Sequence, residues 1–209
     1  MGTLAKLLLS RKVATSVFSL SSVAAASYWY LTRIKSPSNV GEMLASAGFK
    51  NLLSEASQVD WNKVLEAYKK APKSEQLDGV EYEESSSGQK PTDDELKKKI
   101  TGGCKVIMDS ENMDKKNLDL GMAWCVVPTN VKEIVEKNGY KFLDYTGSGD
   151  DGKWQTKLDQ FKKDKPNKTD VDLSKIKDSC KQLAEAPTHN KSFNKAVDVA
   201  KSYCSEKVS

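Results

Sequence analysis

The chain has 209 residues with 33 Lys and Arg, 29 Asp and Glu and a single His, a length that suits one or two domains. Five of the basic residues, Lys6, Arg11, Lys12, Arg33 and Lys35, precede residue 36 with no acid among them, so the remainder carries 28 basic side chains against 29 acidic ones. A near-neutral body argues against a nucleic-acid partner, which needs clustered positive charge; with Arg11 and Arg33 the only arginines, bidentate guanidinium recognition is absent from it.

The first element in chain order is an anchor. Residues 1–12 form a basic segment, and Val13–Leu31 follows with nineteen residues, no charge and a mostly apolar character, just long enough at helical rise to cross a bilayer core. Tyr28, Trp29 and Tyr30 sit at its far end, where aromatic rings favour the membrane interface. The slight excess of positive charge before the segment puts the N-terminus inside, residues 1–12 cytoplasmic, the span in the cell membrane and the C-terminal bulk outside. A second reading remains open, a secreted protein left by signal-peptide cleavage, with Val13–Ala26 as the apolar core and Ala24-Ala25-Ala26 as the small-residue cleavage site.

Beyond the anchor the chain repeats itself. Pro37-Ser38-Asn39-Val40-Gly41-Glu42 returns as Pro128-Thr129-Asn130-Val131-Lys132-Glu133, and Gly48-Phe49-Lys50 as Gly139-Tyr140-Lys141, both 91 positions on. Trp61, Leu65 and Tyr68 match Trp154, Leu158 and Phe161; Ile100 and Cys104 match Ile176 and Cys180; Trp124-Cys125 matches Tyr203-Cys204. The offset drifts between blocks, as it does when insertions fall in loops and elements persist. The copies span residues 37–127 and 128–209.

Each copy reads as about four short helices, giving an all-α fold: an N-terminal transmembrane helix followed by two tandem helical repeats. Ser38 and Thr129 are expected N-caps, and Gly48 and Gly139 stand where a helix would end in a left-handed turn. Trp61, Trp124, Trp154 and Tyr203 are expected core anchors rather than binding residues. Third helices carry Leu96, Ile100 and Cys104, and Leu173, Ile176 and Cys180; fourth helices end at Cys125 and Cys204. Residues 72–94, polar and rich in Ser and Glu, are expected to form a mobile loop.

The four cysteines fall two per copy. Four cysteines permit three pairings, and the repeat favours Cys104–Cys125 with Cys180–Cys204; reduced, buried thiols are the alternative. Zinc is not expected, because the only histidine is His189 and no two cysteines have the close spacing of structural zinc sites. The anchor through Leu31, Trp61, Cys104-Lys105, Trp124-Cys125-Val126-Val127-Pro128 and the restart at Thr129-Asn130-Val131 resemble the paralogous, uncharacterised membrane-anchored surface proteins of haemotropic mycoplasmas. Tyr203-Cys204 departs from that family's Trp-Cys form. The resemblance implies a location on a wall-less bacterium living on red cells, and no catalytic residue.

No catalytic motif, metal site or cofactor is expected. Gly147–Lys153 has the spacing of a phosphate loop, but Trp154 stands where Ser or Thr would ligate magnesium, and Asp150 and Asp151 would repel phosphate. As a calcium loop, Asp144–Gln155 lacks the terminal Glu. His189 lies in the turn Ala186–Asn190 with no catalytic partner in view. Asn167-Lys168-Thr169 and Asn190-Lys191-Ser192 fit the glycosylation acceptor pattern, which has no meaning in a bacterium of this kind. The functional expectation is a surface-exposed interaction protein, a host-binding protein or variable antigen, with the membrane and host-cell or serum proteins as partners. A structural component of the cell envelope is the alternative, and an enzyme is disfavoured.

Overall fold

A computed structural model describes residues 36–82, 90–168 and 170–208. The apolar segment 13–31, with Tyr28, Trp29 and Tyr30, lies outside the described residues; among those described, no helix is long and apolar enough to cross a membrane. The chain is mostly helical, in keeping with the expected all-α class. Its first half contains α1 (Val40–Ser46), α2 (Leu52–Glu55), α3 (Gln58–Lys70), a 3₁₀ turn (Lys73–Glu75), α4 (Asp93–Met108) and α5 (Lys115–Trp124). Its second half contains α6 (Val131–Lys137), β1 (Tyr140–Phe142), α7 (Asp151–Asp164), α8 (Leu173–Ala184), α9 (Phe193–Tyr203) and β2 (Ser205–Lys207).

Helix ends follow local chemistry. The N-caps of α1 and α6 are Asn39 and Asn130, whose side chains accept the Glu42 and Glu133 amides at 2.8 and 2.9 Å. Ser38 and Thr129, the expected caps, instead donate their hydroxyls to the Glu42 and Glu133 carboxylates at 2.9 and 2.7 Å. Both residue types satisfy orphan N–H groups, so the sequence alone leaves the choice one residue wide. At the other end Gly48 has φ +91° and Gly139 φ +79°. After α1 the Gly48 amide donates to Ala45 O at 3.0 Å and the Phe49 amide to Leu44 O at 3.1 Å, a Schellman closure that needs a left-handed residue. Capping boxes at Ser57/Asp60 and Thr92/Glu95 open α3 and α4, and Asp114 and Asp172 cap α5 and α8.

The two halves use the same connections. In each, the first helix packs on the last two, α1 on α4 and α5, α6 on α8 and α9. Val40 N–H donates to Ser110 O at 3.0 Å and Val131 N–H to Ala186 O at 3.1 Å; Leu52 N–H donates to Cys125 O and Leu143 N–H to Cys204 O, both at 3.0 Å. One difference was not anticipated. Residues 140–142 pair antiparallel with 205–207 as a small sheet, Phe142 opposite Ser205, whereas the first half keeps only the bridge Asn51–Val126. There Asn51 turns its side chain to the Leu53 amide and starts α2, which takes the chain away from the ladder after one rung.

The expected mobile loop needs correction over residues 72–82. Leu77 and Val80 are buried, and the buried Tyr68 hydroxyl accepts from Leu77 N–H at 2.8 Å while donating to Val80 O at 2.9 Å. Gln76 donates to Ala71 O and accepts from Tyr82 N–H. Leu77, Val80 and Tyr82 supply enough apolar surface to hold this stretch against α3 and α4, while the Ser and Glu that dominate its composition lie in 83–89, outside the described residues. Asp93 and Asp94 belong to the first turn of α4.

Replacing Gly139 by Ala isolates the backbone requirement, because a Cβ there meets nothing within 4 Å. A loss of roughly 1 kcal/mol in urea unfolding is expected from the positive φ alone. Gly48→Ala should cost more, since its Cβ would also press on Lys137 Cβ at 3.3 Å.

Candidate functional site

Each half closes around a cysteine pair and the aromatic residue before the second cysteine. Cys104 in α4 and Cys125, the C-cap of α5, have Cα atoms 5.2 Å apart; Cys180 in α8 and Cys204, the C-cap of α9, have theirs 5.5 Å apart. Both pairs are at disulfide distance, in the pairing the repeat favours, and all four residues are fully buried. Trp124 meets the edge of Tyr68 with ring centroids 4.7 Å apart, and Tyr203 meets Phe161 likewise at 5.4 Å. Trp124 Nε1 donates to Glu75 O at 2.6 Å, and Tyr203 OH to Asp164 Oδ2 at 2.8 Å; burial and the neighbouring carboxylate push the Tyr203 phenol up to about 12. Trp154 Nε1 donates to Asp144 O at 2.7 Å, and Trp61 lies under Lys97 Nζ, 4.9 Å from the ring centroid. All four expected anchors are thus placed in the core.

The glycine-rich segment is closed by its own carboxylates. Asp144 Oδ1 accepts the Thr146 and Gly147 amides at 2.8 and 3.2 Å and the Thr146 hydroxyl at 2.6 Å. Asp150 Oδ2 accepts the Asp144 amide at 2.8 Å. These bonds hold both carboxyls below the usual carboxylate range and occupy donors that a phosphate would need. Among the described residues no group of three or more His, Cys, Asp or Glu is placed to hold a metal.

A cleft of about 570 Å³ lies where the halves meet. One wall is the 3₁₀ turn and the residues after it, Lys73–Asp78; the floor is the α5 face of Leu120, Ala123 and Trp124; the other wall is Thr188–Lys191 from the second half. His189 turns its imidazole nearly parallel to the Trp124 indole, 13° between planes and 6.4 Å between centroids. Burial lowers the proton affinity of this half-exposed ring. Ion pairs ring the opening: Lys191 with Glu75 at 2.8 Å, Lys116 with Asp78 at 2.6 Å and Lys115 with Asp119. Asn194 also crosses between halves to Asp119 at 3.0 Å.

The sequence placed His189 in a turn and stopped there. What it could not give was the stack on Trp124, a contact between copies, though the histidine's solitary occurrence in an inserted stretch was a signal. No family model, curated protein or solved structure matches the chain.

Two variants read this region. Tyr68→Phe is expected to cost about 2 kcal/mol in urea unfolding, because it strands the buried Leu77 N–H and Val80 carbonyl. His189 should impose a pH slope: a base whose folded pKa is depressed binds fewer protons than in the unfolded chain. Its stabilising effect is therefore complete above the unfolded value, near 6.5, and is lost as pH falls through it. Thermal unfolding between about pH 7.5 and 5.5 should show that loss in the parent, and His189→Gln should flatten it; the carboxylates lowered by hydrogen bonds act only at more acid pH.

Proposed function

We propose that the chain is a membrane-anchored interaction protein without catalytic activity, held by Val13–Leu31 with residues 36–209 outside the cell as two duplicated helical units. The observation that carries this reading is the cysteine arrangement. All four cysteines of the sequence are used in two buried pairs at disulfide distance, one per unit and at equivalent positions. Structural disulfides persist in oxidising compartments and are rare inside cells, so this usage fits an exterior domain behind an apolar N-terminal segment. A near-neutral, lysine-rich surface with no metal cluster among the described residues supports binding rather than chemistry. On the resemblance noted above, the partners would be components of a host cell surface or serum.

The reading is tested on intact cells carrying the full chain. External protease is expected to degrade residues 36–209, and mass analysis of unreduced peptides to find Cys104 joined to Cys125 and Cys180 to Cys204. Full protection of that region, or free thiols at these positions, would overturn it. Each bridge closes a loop of 21 or 24 residues, so reduction of either is expected to lower stability by about 3 kcal/mol.

A further inference from the structure

The cleft between the halves is built from the two places where the copies differ. Tyr68 and Phe161 are 93 positions apart, whereas Cys104 and Cys180 are 76 apart. The first copy therefore carries 17 extra residues between its second and third helices, and these include the wall Lys73–Asp78. Ser110 and Ala186 are 76 positions apart, but Cys125 and Cys204 are 79 apart. The second copy thus carries three extra residues between its third and fourth helices, in the stretch that supplies Thr188–Lys191. Duplication of the scaffold alone produces neither wall.

The lining selects by shape and charge. The floor is apolar and aromatic, with Leu120, Ala123 and Trp124 under the parallel ring of His189. The volume, about 570 Å³, falls in the range of small-molecule sites. Around the opening stand four lysines, Lys73, Lys115, Lys116 and Lys191, against three acids, Glu75, Asp78 and Asp119, which leaves an excess of positive charge. The lysine side chains in these pairs are well exposed, 63% for Lys116 and 68% for Lys191, so their ammonium groups can turn from a carboxylate partner to a ligand at small cost. No protein group is recorded as hydrogen-bonding the His189 ring, and burial alone accounts for its lowered proton affinity; a neutral imidazole at the lip can donate to or accept from a ligand.

We propose that this inter-repeat cleft binds a small aromatic anion, its ring against Trp124 and His189 and its carboxylate among the rim lysines. The proposal goes beyond the surface-interaction reading and does not require it: a cleft that binds in the purified chain says nothing of which side of a membrane it occupies, and protease protection would leave it untouched.

The only histidine of the chain gives one imidazole resonance, which reports on the site directly. The oxidised full chain in detergent is titrated with indole-3-acetate, indole and tryptamine, which share a ring and differ in charge, and with cyclohexylacetate, which keeps the charge without the ring. Indole-3-acetate is expected to shift the His189 signal saturably, indole more weakly, and tryptamine and cyclohexylacetate little. Lys116→Gln with Lys191→Gln, both at exposed positions, should weaken indole-3-acetate roughly tenfold, as expected for the loss of two charge-assisted contacts. No saturable shift at millimolar indole-3-acetate would overturn the proposal. Equal binding of tryptamine would overturn the charge selection, and equal binding of cyclohexylacetate the aromatic one.

Discussion

Each half depends on a single tie, the juncture of a mid-helix cysteine with a cysteine that ends the following helix. Cys125 and Cys204 occupy the C-cap positions of α5 and α9, so the covalent reach of the pair and the termination of the helix are one constraint. The carbonyls of these two residues accept the Leu52 and Leu143 amides, which brings the chain after the first helix back over the last. The aromatic residue one position earlier is then forced inward, against Tyr68 or Phe161. Helix packing, chain reversal and core filling meet at three consecutive backbone positions, and this explains why Trp-Cys and Tyr-Cys lie at corresponding points although the rings differ. Tryptophan and tyrosine are both large rings with a polar tip that needs a partner when buried, and each half provides a different one, the Glu75 carbonyl or the Asp164 carboxylate.

The contacts between halves are of another kind. They consist of an ion pair from Lys191 to Glu75, side-chain hydrogen bonds from Asn194 to Asp119 and from Asn138 to Ala47 O, and two ring contacts, Phe49 with Phe193 and Trp124 with His189. Exposed ion pairs contribute little, roughly 0–1 kcal/mol each. The junction is accordingly weaker per contact than either interior, and it is where a cleft can exist without exposing a core. The interiors hold Trp154, Tyr68, Phe161 and Phe193 with almost no exposure, so they leave no room for a ligand.

What was legible in the sequence followed from periodicity and from residues with one conformational role. The glycines that end α1 and α6 were readable because only a residue without a Cβ takes a positive φ freely. The cysteine pairing was readable because the copies break the tie among three connectivities. The N-caps were readable to within one residue, since Ser-Asn and Thr-Asn each offer two oxygens able to reach the same turn. Three features were hidden. A strand of three residues, Tyr140–Phe142, has no periodicity to detect, and its pairing depends on a segment more than sixty residues away. The packed stretch 72–82 was masked by averaging it with the Ser- and Glu-rich residues beside it. The Trp124–His189 stack depends on how one copy sits against the other, which no local pattern encodes.

The symmetry of the scaffold and the asymmetry of the cleft together separate what holds this protein up from what it can do. Positions that repeat, such as Val40 and Val131, Trp61 and Trp154, or Gly48 and Gly139, have the same burial or backbone task in both halves; their chemistry is spent on the fold. Positions that do not repeat are free of that duty. The first copy's turn at Lys73–Asp78 uses Tyr68 as its internal post, with the hydroxyl bonded on both sides, and burial pushes that phenol up to about 12. The second copy has Phe161 at the matching position and a short connection in place of the turn, so no hydroxyl is needed there. A hydroxyl gained or lost together with the segment it supports indicates that the turn is an integral part of the first copy. The wall it forms facing His189 is therefore as fixed as the helices that carry it.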